Sequence, residues 1–369
     1  MASVPTLRRG KPLAERSGRT RIADVARGAG VSKTTVSFAF NSPDRVKPET
    51  VRRIRDVALQ LGYEPHPVAR MLAQRRTYTI GLLTPQALST MFANPFFGAF
   101  SEGVAAVAEA QGFGLHLISP VFGSLARAIG RATVDGVVAI GLSGDHPEIE
   151  QIRQAGLPTV LVDSTAFESQ GMVDIDDEGA AATAAEHLVA LGHREFIVIG
   201  VEPPHPVTRL DPDGVMGRRL RGYRAVLERH GIELPEAAVF VGPASIDGGA
   251  GAFTRARDAG LRFTAVLAMS DSIAIGVIRA ARAVGLRIPH DLSVVGFDDI
   301  DIAALIDPPL TTIHQPIREK GEQAAELLLA GLAERGGAVL ERRRLATRLV
   351  VRASSASAPA VREEVVTAK

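Results

Sequence analysis

The 369-residue sequence contains no cysteine. That absence removes disulfides, thiol catalysis, Cys-ligated zinc and iron–sulfur clusters together. No apolar run approaches the ~20 residues that a membrane-spanning helix needs. The opening MASVPTLRRGKPLAERSGRT is basic but has no apolar core of signal-peptide length. A cytoplasmic protein without a membrane partner is therefore expected. The chain also lacks G-x-x-x-x-G-K-[ST], which excludes a P-loop nucleotidase, and Gly28 and Gly30 miss the G-x-G-x-x-G spacing after a strand. His187 and His193 are spaced like neither a zincin nor a relay pair. Asp176, Asp177, Asp298, Asp299 and Asp301 have no converging histidine, so solvated turns are expected there in place of a metal site. Nothing in this inventory implies an enzyme, a metal or a cofactor.

Net charge is also nearly absent, at +1, but the total conceals its distribution. Residues 1–76 hold 16 of the 42 Lys+Arg and 6 of the 41 Asp+Glu, a balance of +10, which leaves −9 for the other 293 residues. A polyanion-binding head on a neutral-to-acidic body has this asymmetry, and so does a solvated basic tail. Apolar content of 46% over this length suits a globular chain of two or three domains, at ~150 residues each.

Residues 1–19 mix Pro, Gly, Arg and Ser without periodicity and are expected to form a disordered basic arm. Ile22, Val25, Ala26 and Ala29 then recur at helical spacing up to Gly30. Ser32 is placed to cap a second helix, KTTVSFAFN, whose Val36, Ala39 and Phe40 would face the first. A third runs from Pro48 through Val51, Ile54, Val57, Ala58 and Leu61 to Gly62. From Tyr78 the texture becomes alternating strands and helices. Strand-like runs fall at 79–84, 113–118, 135–141, 158–163, 195–200, 265–270 and 292–297, with helical patterns at 96–110, 179–191, 219–230 and 273–284. This rhythm predicts parallel sheets covered by helices, and its length predicts two lobes. After Arg352 the composition becomes low-complexity, and a disordered tail over 353–369 is expected.

Two short helices joined by a glycine-containing turn, the second with Ser, Thr and Lys on its outer face, fit a helix-turn-helix. TRIADVARGAGVSKTTVSFAFN, VKPETVRRIRDVALQLGYEP and PVARMLA resemble the DNA-binding head of the lactose repressor family of bacterial transcription regulators, over residues 20–73. The expected organisation is a small all-α helix-turn-helix DNA-binding head at 20–65, a hinge helix and linker at 66–76, and an α/β two-lobed periplasmic-binding-protein-like body at 77–352. Lys33 and Thr34 open the second helix, from which side chains reach base edges in the major groove. Ser32, Thr35, Ser37, Asn41 and Arg45 suit phosphate contacts, which position without reading sequence. Ser32 could equally cap its helix. Phe38 stands where many members carry a polar group; it could touch a thymine methyl or pack on the third helix. The resemblance makes PVARMLA a hinge helix, with Leu72, beside Ala69, wedged into the minor groove of the operator.

The likeness continues through NPFFGAF, VDGVVAIG, EHLVALGHREFIVIG, RRLRGYRAVLERHGI and the long run from Ser270 to Pro316. It implies a small effector, a sugar or another metabolite, bound between the lobes beyond the carboxyl ends of the strands. Arg219 and Asp298 match residues that bind effector in the family. Ser270 and Asp271 stand where relatives place Asn-Asp, and Asp163 ends a strand of the other lobe. Helix phase leaves Arg218 as an alternative to Arg219. The expected protein is a homodimeric repressor on a palindromic double-stranded operator, released or engaged by effector. A solute-binding protein of a transport system is the competing class, and it has no use for residues 20–73.

Overall fold

The computed structural model describes residues 20–64, 71, 76–165, 171–202, 212–333 and 341–359. The arm over 1–19, the hinge residues Ala69 and Leu72, and residues 360–369 lie outside the described residues. The chain divides into two units, Met1–Thr77 and Tyr78–Lys369.

In the first unit, α1 (Ile22–Ala29) begins where the Asp24 carboxylate accepts from the Arg21 N–H at 3.0 Å. It ends at Gly30, whose φ of 65° turns the chain without the clash a Cβ would bring. α2 (Lys33–Asn41) is capped by the Ser32 hydroxyl, which accepts from the Thr35 N–H at 3.0 Å. α3 (Pro48–Gln60) starts on Pro48, where a missing N–H costs nothing. The three helices meet over Val25, Ala26, Ala29, Val36, Ala39, Val51, Ile54 and Ala58. Each helix is too short to be stable alone, so this shared apolar face holds the unit together.

The second unit alternates as the sequence predicts. Its first half contains β1 (Thr79–Leu83), α4 (Leu88–Ala93), α5 (Pro95–Ala110), β2 (Gly114–Ile118), α6 (Leu125–Arg131), β3 (Gly136–Ile140), α7 (Ile149–Gln154), β4 (Thr159–Val162) and β5 (Gly171–Ile175). Then follow α8 (Asp177–Ala190), β6 (Phe196–Val201), α9 (Val215–Arg229), β7 (Val239–Gly242), α10 (Ile246–Asp258), β8 (Ala265–Ala268), α11 (Asp271–Ala283), β9 (Ser293–Asp298) and β10 (Thr311–His314). The chain closes with α12 (Ile317–Ala333), β11 (Glu341–Leu345) and β12 (Arg348–Val350). Two six-stranded sheets result, in the orders β11-β5-β4-β3-β1-β2 and β12-β10-β9-β8-β6-β7. Among the described residues all strand pairs are parallel except β10 with β12. Buried on both faces, the central strands are nearly continuous Val, Ile and Leu.

The backbone passes between the sheets three times: from β5 to α8, from β10 to α12 and from β11 to β12. α12 thus returns to the first sheet, where it packs on α5, β3, β4 and β5. A Cβ at Gly103 would lie 2.1 Å from the Arg318 carbonyl oxygen, and one at Gly321 would lie 2.3 Å from that of Phe100. This backbone-to-backbone approach seats the first turn of α12 deep in the lobe.

The expectation of a disordered tail is corrected for residues 353–359. Ser354 is fully buried: its hydroxyl donates to the Val294 carbonyl at 2.6 Å and accepts from the Thr311 N–H at 2.8 Å. The Val294 N–H donates to the Ser354 carbonyl, and the Ala358 N–H to the Leu191 carbonyl, each at 2.8 Å. Small Ser and Ala residues suit a segment held by backbone and hydroxyl bonds, which leaves no apolar periodicity to read. Truncation after Arg352 is expected to cost a few kcal/mol, at ~1 kcal/mol per net hydrogen bond lost, and to lower the melting temperature by several degrees. Unchanged melting would show that the strap contributes nothing.

Candidate functional site

Two groupings of side chains have functional geometry, one in each unit. On α2, Ser37, Asn41, Thr34 and Phe38 follow one another around the side away from Val36, Ala39 and Phe40, which face α1 and α3, and Lys33 stands at the first position beside them. Lys33 and Thr34 are exposed. Ser32 caps the helix and also bonds the Thr35 hydroxyl at 2.8 Å. The Asn41 amide donates to the Ser37 hydroxyl at 3.2 Å. Phe38 is half-buried and is not among the apolar residues packed on the core of this unit. The Arg45 guanidinium stacks 4.3 Å from its ring centroid instead, so the phenyl group positions a cation on the outer face.

In the second unit, a cavity of about 230 Å³ opens at the carboxyl ends of both sheets. Asp163, Arg219, Ser270 and Asp298 all line it, together with Phe96, Phe97, Gln86, Glu202 and Gln315. Two of the carboxylates stand on left-handed backbone, Asp163 at φ 48° and Asp298 at φ 122°. Non-glycine residues adopt such angles at an energetic cost, here at two strand ends that aim carboxylates into the cleft. The Ser270 hydroxyl accepts from the Ile273 N–H at 3.3 Å and caps α11.

Arg219 is buried. Its Nε donates to Asp177 Oδ1 at 2.9 Å and its Nη1 to the Met269 carbonyl at 2.7 Å, while the guanidinium lies 3.5 Å from the Phe297 ring centroid. Nη2 has no hydrogen-bond partner among the described residues. Arg218 turns to the other carboxylate oxygen of Asp177, at 2.7 Å, and does not line the cavity. Asp298 Oδ1 accepts from Gln315 Nε2 at 2.6 Å, and no described group bonds its second oxygen. Asp163 gives both oxygens to Lys320 Nζ, at 2.9 and 2.7 Å.

Burial pushes the Asp298 carboxyl up to about 6, against the opposing attraction of Arg219 and the Gln315 hydrogen bond. Burial also acts to raise Asp177, but Arg219 and Arg218 outweigh it and hold that carboxyl below its ordinary value.

Asp271 is not a cleft residue, which corrects the expectation made for it. Its Oδ1 accepts from the Thr312 hydroxyl and its Oδ2 from the Ile300 N–H at 2.9 Å, and it is absent from the lining. As the first residue of α11 it points into the core, one step past the serine that faces the cavity. The expectation of solvated turns also fails for Asp177 and Asp298, which are buried and bonded. Asp176, by contrast, caps α8. No cluster of metal-ligating groups occurs among the described residues.

Residues 21–66 match the pattern of bacterial regulatory proteins of the lacI family, and 185–355 match the periplasmic binding protein-like domain. The HTH-type transcriptional regulator CelR of Thermobifida fusca is 33% identical over 322 residues, covering 85% of this chain and 92% of that protein. The chain belongs to the lacI family. The ribose operon repressor of Escherichia coli K12 is 31% identical over 83% of this chain and 91% of its own length. A solved complex of CelR with cellobiose has a TM-score of 0.67 at 31% identity and covers 91% of this chain and 100% of that one. Together they establish this lacI-family regulator as a helix-turn-helix head on a two-sheet, periplasmic-binding-protein-like body.

Sequence reasoning missed Gln315, Lys320 and Asp177. Gln315 stood in view within TTIHQP, but a lone lysine in an amphipathic helix carries no sign that it is buried. A raised Asp298 carboxyl favours the folded state while protonated, and that contribution is lost as pH rises from about 4 to about 6. Asp298→Asn lacks this term, so its melting temperature should gain on that of the parent across this window and run parallel to it above. A difference independent of pH would contradict the assignment.

Proposed function

We propose that this lacI-family regulator is a homodimeric repressor whose heads bind a palindromic operator and whose cleft takes a neutral, hydroxyl-bearing small molecule. The observation that carries the reading is the charge pattern of the cleft. Around its floor three carboxylates, Asp163, Asp177 and Asp298, balance three cations, Lys320, Arg219 and Arg218. The rim adds Asp145 and Glu202. A phosphate or carboxylate entering there would meet fixed negative charge and, among the described residues, no uncommitted Lys or Arg beyond one edge of Arg219. Hydroxyl groups fit: Asp298 Oδ2 accepts, Arg219 Nη2 donates, and Phe96 and Phe97 offer apolar ring surface. Relatives described with cellobiose or named for ribose are consistent with this chemistry.

For DNA, Lys33, Thr34 and Phe38 are the base-reading candidates, while Ser32, Thr35, Ser37, Asn41 and Arg45 hold phosphates. Ala69 and Leu72 keep their proposed place as the minor-groove hinge. Effector binding would change the lobe arrangement and thereby the fit of the two heads to the two half-sites.

Two measurements test the reading. Thr34→Ala should alter discrimination at one base position, whereas Ser37→Ala should weaken all duplexes alike; equal effects would reject the roles. In a thermal-shift series, neutral sugars should include a stabilising ligand, worth about 2.7 kcal/mol at a hundredfold excess over Kd. Stabilisation by sugar phosphates alone would overturn the cleft assignment.

A further inference from the structure

Of the described lysines only Lys320 is buried, and it is fully so. An ammonium has three hydrogens, and three acceptors surround this one: Asp163 Oδ1 and Oδ2 and, at 2.6 Å, Gln315 Oε1. With Oε1 held by the cation, the Gln315 amide can present only Nε2 to Asp298. The Gln315 N–H also donates to the Asp298 carbonyl, at 3.3 Å.

These four residues are distributed between the lobes. Asp163 follows β4 and Lys320 lies in the first turn of α12, both in the first lobe. Asp298 ends β9 of the second. Gln315 sits on the segment by which the chain passes from one lobe to the other.

We propose that Lys320 is a positioning residue of the effector response: through Gln315 it holds Asp298, and with it the second lobe's wall of the cleft, at a defined angle to the first lobe. An effector that engages Asp298 then acts on the lobe angle through this relay. The effector part rests on the reading of the cleft given above, but the angle is a property of the ligand-free chain. An apolar residue at 320 would leave the Asp163 carboxylate buried without its cation and the Gln315 amide free to turn over. The bland alternative is an ion pair that serves the first lobe alone, and the two accounts differ in what Gln315 does.

The absence of cysteine makes the test direct. Cysteines introduced at Glu109 and Asp258, exposed positions in the first and second lobe, would be the only thiols to accept spin labels. Full-length labelled chain, diluted with unlabelled protein so that only pairs within one chain are read, gives the inter-lobe distance distribution by pulsed electron resonance without ligand. Gln315→Met cuts the relay but keeps the Lys320–Asp163 pair, and it is the variant that decides should the other fail to fold. Asp163→Asn with Lys320→Met removes both charges while asparagine keeps the left-handed backbone at 163. Both variants should shift or broaden the distribution by a few ångström relative to the parent. A distribution that superimposes on the parent's in either folded variant overturns the proposal. Failure of every small molecule to stabilise the protein would instead count against the effector reading and leave this result standing.

Discussion

Burying charge sets the terms for the body of this protein. An ion taken out of water without a partner costs several kcal/mol even after relaxation, yet Asp163, Asp177, Arg219, Asp298 and Lys320 are all buried where the chain passes between its two sheets. They are tolerated because each faces an opposite charge or a fixed hydrogen bond. Asp177 stands at the first passage and is held by two arginines of the second lobe. Gln315 stands at the second and is held from both sides. After the third passage Arg352 closes on Asp299 at 2.6 Å. The cleft is the surface of this balanced network, and among its described residues Asp298 Oδ2, Arg219 Nη2 and Gln86 Oε1 have no hydrogen-bond partner.

Charge is handled in the opposite manner in the head. There the described cations of the three helices and their turns are exposed and the core is wholly apolar, small enough that three short helices suffice. A basic head and an acidic body on one chain separate the functions electrostatically: the head is attracted to a polyanion and the body is repelled by it. Phe38 and Arg45 add a detail to this arrangement, since a ring that cannot bond a base edge holds a guanidinium that can reach a phosphate.

Much of the fold was legible because its signals are local. Gly30, Ser32, Pro48 and Gly62 bound the helices of the head, and runs such as TIGLL and FIVIGV could only be buried strands. β5, β7, β10, β11 and β12 were not read as strands. GMVDI carries an aspartate, TTIH is polar, and ERRRL is an edge strand whose arginines pair with Asp174 and Glu326 across long stretches of sequence. The site divides in the same way. Arg219 and Asp298 were readable from the motifs that contain them, whereas the orientation of Asp271 depends on one step of helix phase. The role of Lys320 depends on contacts with residues 5 and 157 positions away, and no local pattern records them.

The proposed function requires a two-fold assembly of this chain that reads duplex DNA through α2. Selection of binding sites from a random duplex pool, with the full-length protein at moderate salt, tests it most directly. The expected result is recovery of a two-fold symmetric sequence whose half-sites carry the information. Recovery of duplexes without a common sequence, or of a single unsymmetrical site, would contradict it.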